Sequence, residues 1–416
     1  MKINKLTIHK PKIPFDGLLV FLVFFFNNET LSNNLCLFME QPTRIVTVAA
    51  VLYAVYRIIR YKDCLKVKPA LFSIILILLV TVALIIDGSF TNGYMLLIMG
   101  IVNGTIIALF IPFKRFSELF IKISFFMSVA SLLFTYLLKP LLRFAPFLFV
   151  KVTNSAGISF YDAHICYVNT APRFFRNYGI FREPGVFAII LCFSIALVLF
   201  ANPESFSRKK TYIYIGVFAV ALISTFSTTG YVAALMIVLT ALISRNNRTV
   251  SRGTILMIFV FVVLIAVYLF FFENMENPFE KFDSSSKSYS SYEYRIETII
   301  NGISVSFMQP IGYGLQKGIS ALQNANSLKT YHNTSTWISM SVYLGIPYFL
   351  LCAVAFFEFF RKKAGSMLLF LPFFLLLSGE ALVYNSLIYV FIMYGMTARE
   401  TSYSRLDSRS EIEEKQ

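Results

Sequence analysis

Apolar runs of about 17–22 residues recur along the chain, separated by short polar and charged connections. A run of that length is long enough, as a helix, to cross the hydrocarbon core of a bilayer, where every backbone polar group must be satisfied internally. About twelve such runs lie near 13–26, 45–60, 69–87, 92–112, 117–138, 185–201, 211–227, 228–244, 253–272, 334–357, 365–377 and 380–397. The first and eleventh are short. The expected fold class is an all-α polytopic membrane protein of about 12 transmembrane helices, with one integral membrane domain over residues 1–416. Two large external loops, 139–183 and 273–333, interrupt the alternation, and 398–416 forms a cytoplasmic tail that ends in the acidic stretch SRSEIEEKQ. Hydrophobic residues make up 57% of the chain and charged residues 14%, a balance that no soluble domain needs. The segment MKINKLTIHKPK before GLLVFLVFFF imitates a secretory signal, but no small-residue cleavage site follows, so it is read as an uncleaved first span.

The net charge of +15 could suggest nucleic acid, but its distribution excludes that reading. Lys and Arg cluster in the connections between apolar runs, as in loops held at a membrane surface. With the N-terminus inside, the cytoplasmic connections and tail carry 24 of the 37 basic residues, while the turns DGSFTNG, STTG and SGE carry none. Both termini are therefore expected in the cytoplasm. The loops 139–183 and 273–333 carry six and five basic residues on the opposite side, which suggests an anionic ligand there.

Before the sixth run stands RNYGIFREPG, with Arg176, Arg182, Glu183 and Pro184 in ten residues. Pro184 suits the first position of a helix, and Glu183 sits where the helix dipole favours negative charge. This density of charge beside a membrane span is either the lip of a site or a solvated interfacial anchor. The eighth run starts at Ser227, Thr228, Thr229 and Gly230, and the tenth at His332, Asn333, Thr334 and Ser335. In the alternating topology all three helices begin outside, and a helix N-terminus attracts anions. Ser and Thr there are equally ordinary N-caps. Three such starts on one face, beside two basic loops, point to a phosphate-bearing substrate presented from outside.

These stretches also carry a family resemblance. RNYGIFREPG resembles the R-x-x-G-x-F-x-E-P-G stretch of Wzy-type polysaccharide polymerases, in the wider O-antigen polymerase and ligase superfamily. FSTTGYVAAL, YRIETIINGISVSFMQPIGYGL and HNTSTWISMSVYLGIPYFLL are similar, in the same order, to that family's following hairpin, second large loop and His-Asn helix. The matches cover roughly 176–350. The resemblance implies a GT-C-like membrane glycosyltransferase of the bacterial plasma (inner) membrane, acting on undecaprenyl-pyrophosphate-linked oligosaccharide. Its other expected partners are membrane lipids and a chain-length regulator, without nucleic acid. Arg176, Arg182 and Arg295, with Thr228 and Thr229, would bind pyrophosphate, and Gly179, Pro184 and Asn333 would support them. His332 could accept the proton of the attacking hydroxyl, with Glu183 as the rival base. His9 and His164 match nothing in the family.

No cofactor is implied, and no metal: there is no D-x-D and no His pair at helical spacing. Glu29 and Glu40, in the first external loop, keep the metal question open. Cys36 and Cys166 are both external in this topology, and their pairing cannot be read from sequence. A ligase of the same superfamily would use similar residues on another acceptor, and the E-P-G variant leans towards the polymerase. A twelve-span flippase or transporter is disfavoured, because the acids within spans, Glu118 and Glu358, fall near the cytoplasmic end rather than the midplane.

Overall fold

A computed structural model of the chain describes residues 14–30, 41–61, 67–139, 149, 151–153, 158–163, 165–170, 176–201, 206–243, 289–326 and 334–398. The expected span at 253–272, His332, Asn333, Cys36, Glu40 and all but one residue of the tail lie outside the described residues.

The described residues are mostly helical. The helices are α1 (Pro14–Phe25), α2 (Gln41–Tyr61), α3 (Val67–Asp87), α4 (Asn92–Phe110) and α5 (Phe113–Leu132), the last continuing as π-helix through Leu138. Then come α6 (Pro184–Ala196, with a π-helical extension to Ala201), α7 (Arg208–Ser224) and α8 (Thr228–Ile243). They are followed by α9 (Tyr289–Met308), α10 (Leu315–Ala325), α11 (Thr336–Leu344), α12 (Ile346–Phe359), α13 (Phe370–Ser378) and α14 (Ser386–Gly395). Among the described residues, five stretches are long and apolar enough to cross a membrane: Pro42–Tyr61, Val67–Asp87, Asn92–Phe110, Phe113–Leu138 and Pro184–Ala201. Shorter apolar helices cover Phe15–Phe25, Thr228–Ile243, Met367–Ser378 and Ser386–Gly395.

Burial divides these helices by role. On α2 and α3, Ile45, Val48, Leu52, Ile59, Leu71, Ile74, Leu78 and Ile85 are all exposed. So wide an apolar surface is tolerable where lipid covers it and an aggregation hazard in water. By contrast α6 is buried on all sides along its length, and so is α14. A helix apolar all round belongs in the interior. Phe193 of α6 stacks on Phe391 of α14 with centroids 4.0 Å apart, and α4 closes the other side of α14. Small residues make that approach possible: a Cβ on Gly104 would lie 2.6 Å from the Tyr389 carbonyl carbon, and one on Gly100 would lie 2.9 Å from the Tyr389 ring. Gly100 and Gly104 form a G-x-x-x-G face, which lets membrane helices meet backbone to backbone.

Three features depart from the sequence reading. First, the chain is not all-α. The loop 139–183 contains an antiparallel sheet in the order β1 (Lys151–Thr153), β2 (Ser159–Asp162), β3 (Tyr167–Asn169), with Val152 opposite Phe160 and Phe160 opposite Asn169. Phe160 packs with Tyr167 and Tyr178, so this sheet has its own small core. Secondly, the loop 273–333 holds α9 and α10. Thirdly, the tenth run is two helices, broken at Gly345, whose φ of +95° an L side chain rarely adopts. The break is occupied by the segment after α9: Tyr313 and Gly314 donate to the carbonyls of Val342 and Tyr343 at 2.9 and 3.0 Å, and Ile346 donates to Pro310 O at 2.8 Å. A Cβ on Gly312 would lie 2.6 Å from the Gly345 nitrogen. The carbonyls that a broken helix leaves open are thus satisfied by PIGYG, which is why two glycines face each other there.

The connections that alternation assigns to one side meet at one end of the bundle. Glu29 meets Arg182, Asp87 meets Gln316 and Lys317, and Thr336 meets Glu380. At the other end Asp16 pairs with Arg57, and Lys362 donates to Gly395 O.

Candidate active site

The motif before α6 is held from below. Asn177 is fully buried, and its side-chain amide donates to Ser131 and Ser224 Oγ at 3.0 Å each. Its Oδ1 accepts from Gly179 N at 3.0 Å, an Asx turn that carries Gly179 into the left-handed region at φ +57°. Arg176 spends its guanidinium on the end of α7, with Nε donating to Thr225 O at 3.2 Å and Nη2 to Phe226 O at 3.5 Å. Phe226 has φ +56°, so this arginine clamps a strained turn between α7 and α8.

Arg182 is tied twice to the loop after α1. Its backbone N donates to Glu29 O at 2.9 Å, beside an isolated bridge between Thr30 and Phe181, and its Nε donates to the Glu29 carboxylate. Glu29 is nearly inaccessible; burial pushes its carboxyl up, and Arg182 opposes that shift. Arg182 also donates through Nη2 to Ala381 O at 3.4 Å and lies 4.0 Å from Glu183 Oε1. Charge from Glu29, against the cost of burial, holds its guanidinium firmly protonated.

Pro184 opens α6 at its first position, with Glu183 as N-cap residue, yet the Glu183 side chain caps nothing. Its carboxylate instead stands close enough to Glu380 for their charges to interact. Glu380, in the turn after α13, reaches across to Gly185: a Cβ there would fall 2.0 Å from its Oε1. The glycine of E-P-G is the space that this carboxyl fills. Burial, then the charge of Glu183, push the Glu380 carboxyl up to about 8, against Arg295 and Arg182.

The turn 379–382 is the meeting point of three helix starts. Thr336, the first residue of α11, donates from its N to Glu380 O at 3.0 Å, and its Oγ1 accepts from Leu382 N at 2.9 Å. Arg295 of α9 donates to Gly379 O at 3.0 Å. Thr229 brings its methyl to 3.7 Å from where a Gly379 Cβ would stand. At the start of α8 the cap is Ser227, accepting from Gly230 N at 3.2 Å, which leaves Thr228 and Thr229 as the first helical residues. Gly230 lets α8 pass close to Ala188 of α6. Around one turn therefore stand Arg182, Arg295, Glu183, Glu380, Thr229 and Thr336. Arg176 and Gly179 lie one layer behind, supporting the turn and loop that carry them. Among the described residues no three His, Cys, Asp or Glu side chains are placed to hold a metal ion, and Cys166 is a buried free thiol.

The loop that carries Arg295 is fastened by a residue far from it in sequence. Asp87, at the end of α3, accepts from the backbone N of Gln316 and Lys317 at 3.2 Å each, capping α10 from another helix, and from Tyr94 Oη at 2.8 Å. Gly314 is required there, because its Cβ would sit 2.4 Å from Asp87 Cβ. Asp87→Ala is expected to remove about 1–2 kcal/mol of local stability, the usual worth of a helix cap. Hydrogen exchange at 315–318 checks this: those amides should lose protection while α6 and α14 keep theirs.

Sequence reasoning missed Glu380, because an acid in a three-residue turn carries no periodic or motif signal. Asp87 could have been found, since an acid that ends an apolar run has to find donors.

A mostly helical chain with wide apolar outer faces and a mixed-charge cluster at helix ends defines a multi-pass membrane protein with a polar site at one end of its bundle. A family model described as O-Antigen ligase matches residues 213–353, from α7 through the break at Gly345 into α12. That match supports the O-antigen polymerase and ligase superfamily without separating polymerase from ligase. No curated protein and no solved structure matches the chain.

Proposed function

We infer that the chain transfers glycan from an undecaprenyl-pyrophosphate-linked oligosaccharide to a second sugar acceptor on the outer face of the plasma membrane. The observation that carries this reading is the convergence of the α6, α8 and α11 starts on one turn flanked by Arg182 and Arg295. Helix N-termini and guanidinium forks both favour a pyrophosphate. The leaving group is already good, so the demand on the protein is to neutralise its growing charge and to orient the acceptor hydroxyl. Arg295 and Arg182 supply the charge, with Thr228 and Thr229 at the start of α8. Arg176 holds the turn from which they project. The hydroxyl's proton needs a base, for which the sequence offers His332 and Glu183.

The acceptor is taken as the next lipid-linked repeat, making the protein a polymerase of O-antigen or capsular polysaccharide. The family match over 213–353 fits equally the ligase reading, with transfer of finished polymer to another acceptor. Purified protein in phospholipid nanodiscs, given lipid-linked repeat units, is expected to release undecaprenyl pyrophosphate and lengthen the glycan. Release of no pyrophosphate lipid with any sugar acceptor would overturn the transferase reading.

A further inference from the structure

A hydroxyl that attacks an anomeric carbon must give up a proton, and the described site holds two carboxyls, Glu183 beside Arg182 and Glu380 against Gly185. Glu183 and Glu380 come from elements 197 residues apart, and the charge of Glu183 helps to push the Glu380 carboxyl up. The groups facing them are Arg182, beside Glu183, and Arg295 from α9, with Glu29 acting through Arg182. Glu380 is placed by three independent restraints. Its carbonyl accepts from Thr336, the preceding carbonyl of Gly379 accepts from Arg295, and its side chain occupies the hollow left by Gly185.

We propose that Glu380, paired with Glu183, accepts the proton of the attacking sugar hydroxyl. The proposal rests on the transferase reading above. In the step, the acceptor oxygen forms a bond to the donor's anomeric carbon and the bond from that carbon to the pyrophosphate oxygen breaks. The leaving pyrophosphate keeps the electron pair beside the two arginines, and the hydroxyl proton moves to Glu380. Glu380 is ionised when the step begins, the neighbouring charge of Glu183 raises its appetite for the proton, and the proton passes to water before the next turnover. A carboxyl tuned to about 8 is a far stronger base than an ordinary one, and it is poised near working pH.

The geometry has a consequence for stability as well. The folded state raises this carboxyl above its unfolded value and so favours the neutral form. That contribution is complete below the ordinary carboxyl range and is lost as pH rises through about 8. The melting temperature of the protein should therefore decline across that window, and Glu380→Gln should flatten the decline.

The test uses full-length protein in nanodiscs with lipid-linked repeat units, and undecaprenyl pyrophosphate as the binding probe. Glu380→Gln is expected to lower turnover by about a hundredfold or more, the scale of general base catalysis, and to abolish the rise of rate with pH. Its affinity for undecaprenyl pyrophosphate should stay within about threefold of wild type. Gly185→Ala serves as a second variant, since its methyl displaces the carboxyl without removing it. It should lose much of the turnover, and adding Glu380→Asp, one methylene shorter, should restore part of it. Turnover of Glu380→Gln or of Gly185→Ala within about threefold of wild type would overturn the proposal while the transferase reading stands. An inactive wild type would instead overturn that reading, and the proposal with it.

Discussion

Arg295→Lys should cut glycan transfer by about a hundredfold while the protein stays folded and in the membrane. Arg295 already donates through Nη1 to Gly379 O, and its charge reaches Glu380 from the same position. A guanidinium can hold that carbonyl and still present its remaining N–H groups in a plane that matches two phosphate oxygens. An ammonium on a flexible stem keeps the charge but has no such fork, so it can serve the turn or the pyrophosphate and not both in fixed geometry. Loss of one preorganised donor to a developing anion costs about 10²–10³ in rate, or roughly 3–4 kcal/mol. The effect should appear in kcat more than in donor affinity. Arg176→Lys offers a contrast, because Arg176 is bonded to Thr225 O and Phe226 O. Its loss should act through the α7–α8 turn and show as reduced exchange protection there. If Arg295→Lys transfers glycan at the wild-type rate, the arginine belongs to the turn alone.

How much of this was legible before the structure depends on whether the determinant is local. The long apolar helices among the described residues were, because a bilayer-length apolar run is satisfied internally as a helix. Pro184 at the first position of α6 and the turn at Gly179 follow from the two residues whose backbone preferences are strongest. The sheet within 139–183 left a trace in the β-branched and aromatic residues around Ser159–Asp162, which the length of the loop obscured. The break at Gly345 was signalled by Gly345 followed by Pro347, inside a run that hydropathy alone joins into one span. Likewise, Gly100 and Gly104 were readable as a packing face. What could not be read is whatever depends on distant partners. Nothing near Glu380 in sequence says that it fills the hollow at Gly185, and nothing near Asp87 says that it caps α10. Equally, no local pattern shows that the guanidinium of Arg176 is directed to two carbonyls. His332 and Asn333 lie outside the described residues, and their roles stay as the motif implies them.

Polymerase and ligase would use this same cluster on the same donor, because the leaving lipid pyrophosphate is common to both. They differ in the acceptor, and the distinction is therefore expected in cells rather than in the donor site. Cells whose sole copy carries Glu380→Gln together with Arg295→Lys should make surface glycan that stops at one repeat. A single repeat is still a substrate for a downstream transferase, so it reaches its final acceptor without having been lengthened. Loss of a ligase produces the opposite: long polymer accumulates on undecaprenyl pyrophosphate, and none is transferred onward. Electrophoresis of surface and lipid-linked glycan from the same culture separates the two outcomes, and the expected change is from a ladder to one band. Long lipid-linked polymer in those cells would make the protein a ligase. The arginines and the carboxyl pair would keep their roles, since both reactions break the same bond.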